Sequence, residues 1–212
     1  MPLVYQQNIN LATKLGVWHI VEPEDFFLKT VPLQREITHP NKRLQHLAGR
    51  CLLQELYPDF PYELIRIADT RKPFLENEAF HFSISHCGCY AAVMVSREQR
   101  VGVDVEMLTA KIEKIAHKFL SPAEQQLLGA VYENNPGLKM FVLTAAWSIK
   151  ESLFKWYGSG QVDFIQHLHI DSFTLSDNEG IAHCSIHKNK PVHLTAHFLL
   201  FNHNCISWVM SG

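Results

Sequence analysis

An α+β fold is predicted by two long stretches of helical spacing and by the short alternating segments around them. Leu44, Leu47, Ala48, Cys51, Leu52 and Leu56 form one apolar stripe within 41–57. Val142, Ala145, Ala146, Ile149, Leu153 and Trp156 form a second within 138–157. Between and after them, short apolar runs are joined by connections of a few residues, the pattern of antiparallel sheets. The chain has 212 residues, 47% of them hydrophobic and 19% charged, so folding should bury about 70–75% of its unfolded surface. Composition does not choose between one domain and two.

Taken in chain order, residues 16–21 read as a strand and a short helix begins near Glu24. Pro40 stands where the first long helix starts and Pro58 just past its end. Residues 80–85, 90–96 and 101–106 read as three strands of one antiparallel meander. That pairing would carry the far end of the third strand back towards Ser85 and His86. Ser121-Pro122-Ala123-Glu124 is a helix start, with Ser as N-cap, Pro at N1 and Glu at N3, and is expected to do only that. Residues 107–137 are expected to be the most flexible region, because Gly129 and Asn134-Asn135-Pro136-Gly137 interrupt them. The second long helix ends at Gly158-Ser159-Gly160, and a second antiparallel sheet fills 161–212.

Two acidic motifs carry the chemistry. In Val-Gly-Val-Asp-Val-Glu, residues 101–106, the valines take one face of a strand and Gly102, Asp104 and Glu106 the other. Asp104 and Glu106 then sit about 7 Å apart along the strand, within joint reach of one cation. In Trp-Ser-Ile-Lys-Glu-Ser-Leu-Phe-Lys, residues 147–155, Glu151 and Lys155 share a helix face at i, i+4. Two strand carboxylates, a third on a helix and adjacent lysines point to phosphate chemistry on a divalent metal. Taken singly, each part is ordinary: an Asp-x-Glu strand is usually a solvated face, and an exposed helix ion pair contributes only about 0.3–0.5 kcal/mol. Trp147 reads as core packing that fixes the roll of its helix.

Bulk properties exclude other classes. A net charge of −2 without a long basic run gives no nucleic-acid footprint. No apolar run approaches the ~20 residues a bilayer span needs, and the first residues show no signal peptide. The five cysteines include no Cys-x-x-Cys pair, which fits a reduced cytoplasmic protein. Thirteen histidines, with His167 and His169 or His193 and His197 sharing strand faces, show no recognised zinc spacing. Ser85-His86 is no nucleophile–base pair, since adjacent strand residues do not meet, and a Gly-x-Ser-x-Gly elbow is missing.

Leu47-Ala48-Gly49-Arg50, Arg71-Lys72-Pro73, Phe82-Ser83-Ile84-Ser85-His86, Gly102-Val103-Asp104-Val105-Glu106 and Trp147-Ser148-Ile149-Lys150-Glu151 with Lys155 occur in this order. Together they resemble the 4′-phosphopantetheinyl transferase superfamily, in its larger, surfactin-synthetase-activating type. The resemblance implies a pseudo-two-fold pair of α/β subdomains, 1–100 and 101–212. Each would be a small antiparallel sheet packed on a long helix, with the active site in the cleft between them. The first subdomain would contact the nucleotide of coenzyme A and the second would hold the metal ligands and catalytic helix.

Carried over by motif position, Asp104, Glu106 and Glu151 resemble ligands of magnesium, with manganese an alternative. Glu151 would be the third ligand, the base for an incoming serine hydroxyl, or both. Lys155 would neutralise charge on the departing 3′,5′-ADP or protonate it, and Lys150 would touch a phosphate from the flank. Ser85 and His86 match pyrophosphate or 3′-phosphate contacts, and Arg50, Lys72 and Pro73 match contacts of the nucleotide end. Arg71 fits as well as Lys72, whereas Lys42, Arg43 and Arg66 match more loosely. The implied reaction moves the phosphopantetheine arm of coenzyme A to a serine of an acyl or peptidyl carrier protein. The implied fold is a monomer that needs neither nucleic acid nor membrane. A non-catalytic relative that only binds coenzyme A or the carrier is the alternative, and a metal-dependent phosphohydrolase is a third reading.

Overall fold

The computed structural model describes residues 3–31, 33 and 36–211. Contacts divide the chain between Val101 and Gly102 into two compact units.

In the first unit, β1 (Leu3–Asn8), β2 (Thr13–His19), β5 (His81–Cys87) and β6 (Tyr90–Ser96) form an antiparallel sheet of order β1-β2-β6-β5. A short helix α1 (Glu24–Leu28) leads to α2 (Pro40–Leu56), which has Pro at N1, where a missing N–H costs nothing. Helix α2 buries Leu47, Ala48, Leu52, Leu53 and Leu56 against Trp18, Phe82, Ala91, Val93 and Val95. Lys14 of β2 donates to the carbonyl of Leu56 at 2.9 Å, placing a cation on the negative end of the helix. A two-residue ribbon, β3 (Arg66–Ile67) with β4 (Pro73–Phe74), completes the unit.

In the second unit, β7 (Val101–Met107) joins β8 (Leu168–Ser176), β9 (Glu179–Ile186), β10 (Val192–Phe201) and β11 (Asn204–Met210) in the order β7-β11-β10-β9-β8. Helix α5 (Lys139–Tyr157) lies on this sheet and ends at Gly158, whose φ of 73° supplies the left-handed cap. Small residues bring helix and sheet together. Ser148 and Ser152 of α5 both meet the Ser207 hydroxyl of β11, at 2.9 and 2.8 Å.

Two expectations are corrected. Strand β7 does not extend a meander with β5 and β6: β6 already has β2 on one side and β5 on the other, so it offers no edge. The sequence reading missed this because β1, with its sparse alternation, was not recognised as a strand pairing β2. The inference that drew the end of β7 towards Ser85 and His86 loses its basis. The 107–137 stretch, expected to be flexible, holds α3 (Lys111–Ile115) and α4 (Pro122–Tyr132), with Gly129 inside α4.

Candidate functional site

Strand β7 and helix α5 build the acidic site of the second unit. Asp104 is 3% exposed, because the Gly102–Asp104 face of β7 is the one lying under α5. Lys155 reaches back from α5 and places its Nζ 2.7 Å from Asp104 Oδ1. Glu106, two residues further along β7, accepts the indole N–H of Trp147 at 3.0 Å on Oε1. Glu151 stands one turn before Lys155 on the same helix. Burial pushes its carboxyl up to about 7, the charges of Asp104 and Glu106 push the same way, and Lys155 opposes them. The three carboxylates are thus electrostatically coupled around one ammonium group.

Among the described residues, no three His, Cys, Asp or Glu side chains are gathered closely enough to hold a metal ion. The Lys155 ammonium lies on Asp104, and the Trp147 indole N–H donates to Glu106. The donor chemistry nevertheless fits a hard divalent cation, since all three groups are carboxylates and Asp104 already carries a cationic partner.

Lys150 belongs elsewhere, contrary to the expected phosphate contact. It is fully buried; its Nζ lies 2.7 and 2.9 Å from the two oxygens of Glu124 and donates to the carbonyls of Phe119 at 2.7 Å and Phe164 at 2.8 Å. All three ammonium donors are spent inside the unit. Burial pulls this amine below its ordinary range, against the Glu124 charge that holds it up. Glu124 does more than start α4. Its carboxylate accepts from Ser121 N in the capping box and from Ile170 N of β8, besides Lys150. Lys150→Ala would strand that carboxylate in the interior, so urea titration should show a loss of about 3–5 kcal/mol. A loss under 1 kcal/mol would contradict the structural role.

A cavity of about 150 Å³ in the first unit is lined by His46, Arg50, Ile67, Arg71, Pro73, Ile84 and His86. Arg50, 6% exposed, donates to Nδ1 of His46, one turn earlier on α2, at 3.1 Å. Gly49 lets α2 approach β5, where an added Cβ would meet Ile84 Cγ2 at 2.8 Å. The lining holds two guanidinium groups and two imidazoles but no carboxylate, which suits an anionic guest. Of the expected coenzyme A contacts, Arg50 and Pro73 of the nucleotide end and His86 of the phosphate contacts come together here, and Arg71 rather than Lys72 lines the wall. Lys72 is half-buried, and burial with the charge of Arg100 pulls its amine down to about 8. Ser85 lies on the opposite face of β5 from Ile84 and His86, so it does not join them. Of the looser candidates, Arg43 is held by Glu24 at 2.8 Å and by the carbonyl of Ile37. His46 was missed by sequence reasoning, although its i, i+4 spacing to Arg50 was available as a signal.

The fold and site thus define an α+β protein with two sheet-and-helix units, one carrying a carboxylate–lysine cluster and the other a cationic cavity. The family model of the 4′-phosphopantetheinyl transferase superfamily matches residues 100–204. Enterobactin synthase component D of Escherichia coli K12 is 32% identical over 148 residues, covering 65% of this chain and 68% of that protein. The 4′-phosphopantetheinyl transferase AcpT of the same strain is 26% identical over 156 residues, covering 73% and 76%. A Xenopus laevis L-aminoadipate-semialdehyde dehydrogenase-phosphopantetheinyl transferase is 27% identical over 130 residues, covering 54% and 43%. The chain belongs to the 4′-phosphopantetheinyl transferase superfamily. Among the described residues, no helix is long and apolar enough to cross a membrane.

Proposed function

We propose that this chain transfers 4′-phosphopantetheine from coenzyme A to a serine hydroxyl of an acyl or peptidyl carrier protein. The observation that carries the reading is the coupling of Glu151 to Asp104 and Glu106 beside Lys155. A carboxyl held near neutrality by burial and like charge is suited to accept a proton during turnover. Asp104, Glu106 and Glu151 would hold a magnesium or manganese ion, which when bound polarises the phosphorus under attack and neutralises diphosphate charge.

Glu151 takes the proton from the serine hydroxyl as its oxygen bonds to the phosphorus of the phosphopantetheine arm. The bond from that phosphorus to the oxygen of 3′,5′-ADP breaks, and Lys155 offsets the charge left on the departing group. In the first unit, Arg50, Arg71 and His86 are proposed as contacts for a phosphate of coenzyme A. Lys111, Lys114, His117 and Lys118 lie exposed on and after α3, the surface we propose for an acidic carrier protein.

The test is incubation with coenzyme A, magnesium and an apo carrier protein. Mass spectrometry should show the carrier gaining one phosphopantetheine arm, and the gain should disappear on chelation. Binding of coenzyme A with no modified carrier would favour a non-catalytic relative. Release of ADP without any acceptor would favour a phosphohydrolase.

A further inference from the structure

Lys150 and Trp147 are unexplained by the proposed chemistry, yet both lie on the helix that carries Glu151 and Lys155. Their contacts form one chain. The Trp147 ring packs against Phe119 with centroids 5.0 Å apart, edge-on, and against Phe164 at 5.5 Å. The backbone carbonyls of those same two residues, Phe119 and Phe164, are held by the buried Lys150 ammonium. Glu124 balances that ammonium and anchors it to the start of α4 and to β8. At the other end of the chain, the Trp147 indole N–H donates to Oε1 of Glu106.

We infer that Trp147 is a positioning residue for Glu106, and that the Lys150–Glu124 pair fixes the two phenylalanines that hold the indole in place. The inference rests on the proposed metal-ligand role of Glu106. A carboxylate on a strand can turn about its side-chain bonds, and a directed N–H donor restricts it to one orientation. Partners of this outer kind affect metal affinity although they never touch the ion. The arrangement also explains why a lysine directly before Glu151 is buried instead of facing a ligand. It points inward and stiffens the support of the helix's tryptophan.

Trp147→Phe tests this role, because a phenyl ring keeps an aromatic group between Phe119 and Phe164 while the N–H donor to Glu106 is lost along with the second ring of the indole. The magnesium concentration at half-saturation should rise about 10- to 100-fold. It should be measured both in turnover and by calorimetry of magnesium binding with 3′,5′-ADP present, while the melting temperature stays within a few degrees of wild type. In wild-type protein, the Trp147 indole N–H resonance, assigned by its loss in the variant, should shift on magnesium addition. An unchanged half-saturation in a folded variant, or an indole resonance indifferent to magnesium, overturns the inference. Should Trp147→Phe unfold the chain, the indole resonance is assigned instead by triple-resonance experiments on the wild-type protein, and its response to magnesium alone decides. If wild-type protein shows no magnesium-dependent binding at all, the metal reading itself fails, a result distinct from a wild type that binds and a variant that binds equally well.

Discussion

Gly102→Ala is expected to cost at least about 3 kcal/mol of stability and to abolish transferase activity with it. A Cβ at Gly102 would stand 2.1 Å from the carbonyl oxygen of Ser152, 2.9 Å from the backbone nitrogen of Trp156 and 3.0 Å from its Cβ. Two of these are backbone atoms of α5, so no rotamer change relieves the clash. Strand and helix must separate. Separation would stretch the Lys155–Asp104 pair, which is made across this same contact. The glycine of the Gly-x-Asp-x-Glu motif is therefore required by packing: it sets the distance at which strand carboxylates and helix residues meet. Urea denaturation of the variant should show the loss directly. Gly129→Ala provides the contrast, since nothing lies within 4 Å of its Cβ and it occupies a helix interior. That change should stabilise by about 0.5–1 kcal/mol. Equal stability of Gly102→Ala and wild type would refute the packing argument.

The same contact shows what the sequence could and could not convey. Helix α5 was legible to within a residue, because its apolar stripe is long and Gly158 marks its end. Helix α2 was legible through Pro40 and its leucines, and the presence of an antiparallel sheet within 161–212 through its alternation, though not the membership of β7 in it. The partner of β7 was not legible. Local alternation defines a strand but says nothing of which edge it joins, and here the vacancy had been filled by β2. Lys150 was misread for a related reason. A lysine amid polar neighbours looks solvent-facing, and only the tertiary structure brings Glu124 and two backbone carbonyls to meet it. Glu124 itself looked complete as a cap because a capping box satisfies local rules. Its link to Ile170, 46 residues away, leaves no trace in spacing.

Glu151→Gln should reduce turnover by about 10²- to 10⁴-fold, the range of a lost general base, with no loss of stability at neutral pH. The amide keeps the size of the side chain and removes the charge that Asp104 and Glu106 oppose. The sign of the pH effect follows from linkage. The carboxyl is raised from its ordinary 4.5 to about 7, so between those values the folded chain holds a proton that the unfolded chain has released. Its favourable contribution is complete below 4.5 and is lost as pH rises through 7, by at most about 3 kcal/mol. Without divalent metal, the stability of the variant relative to wild type should therefore grow from pH 5 to pH 8, as read from urea midpoints at each pH. Added magnesium should narrow the gap at pH 8 by stabilising wild type, because binding to the folded state alone shifts the equilibrium towards it. A flat difference across that range would show that burial and the two strand carboxylates do not raise the Glu151 carboxyl. Turnover within about threefold of wild type would show that another group takes the serine proton.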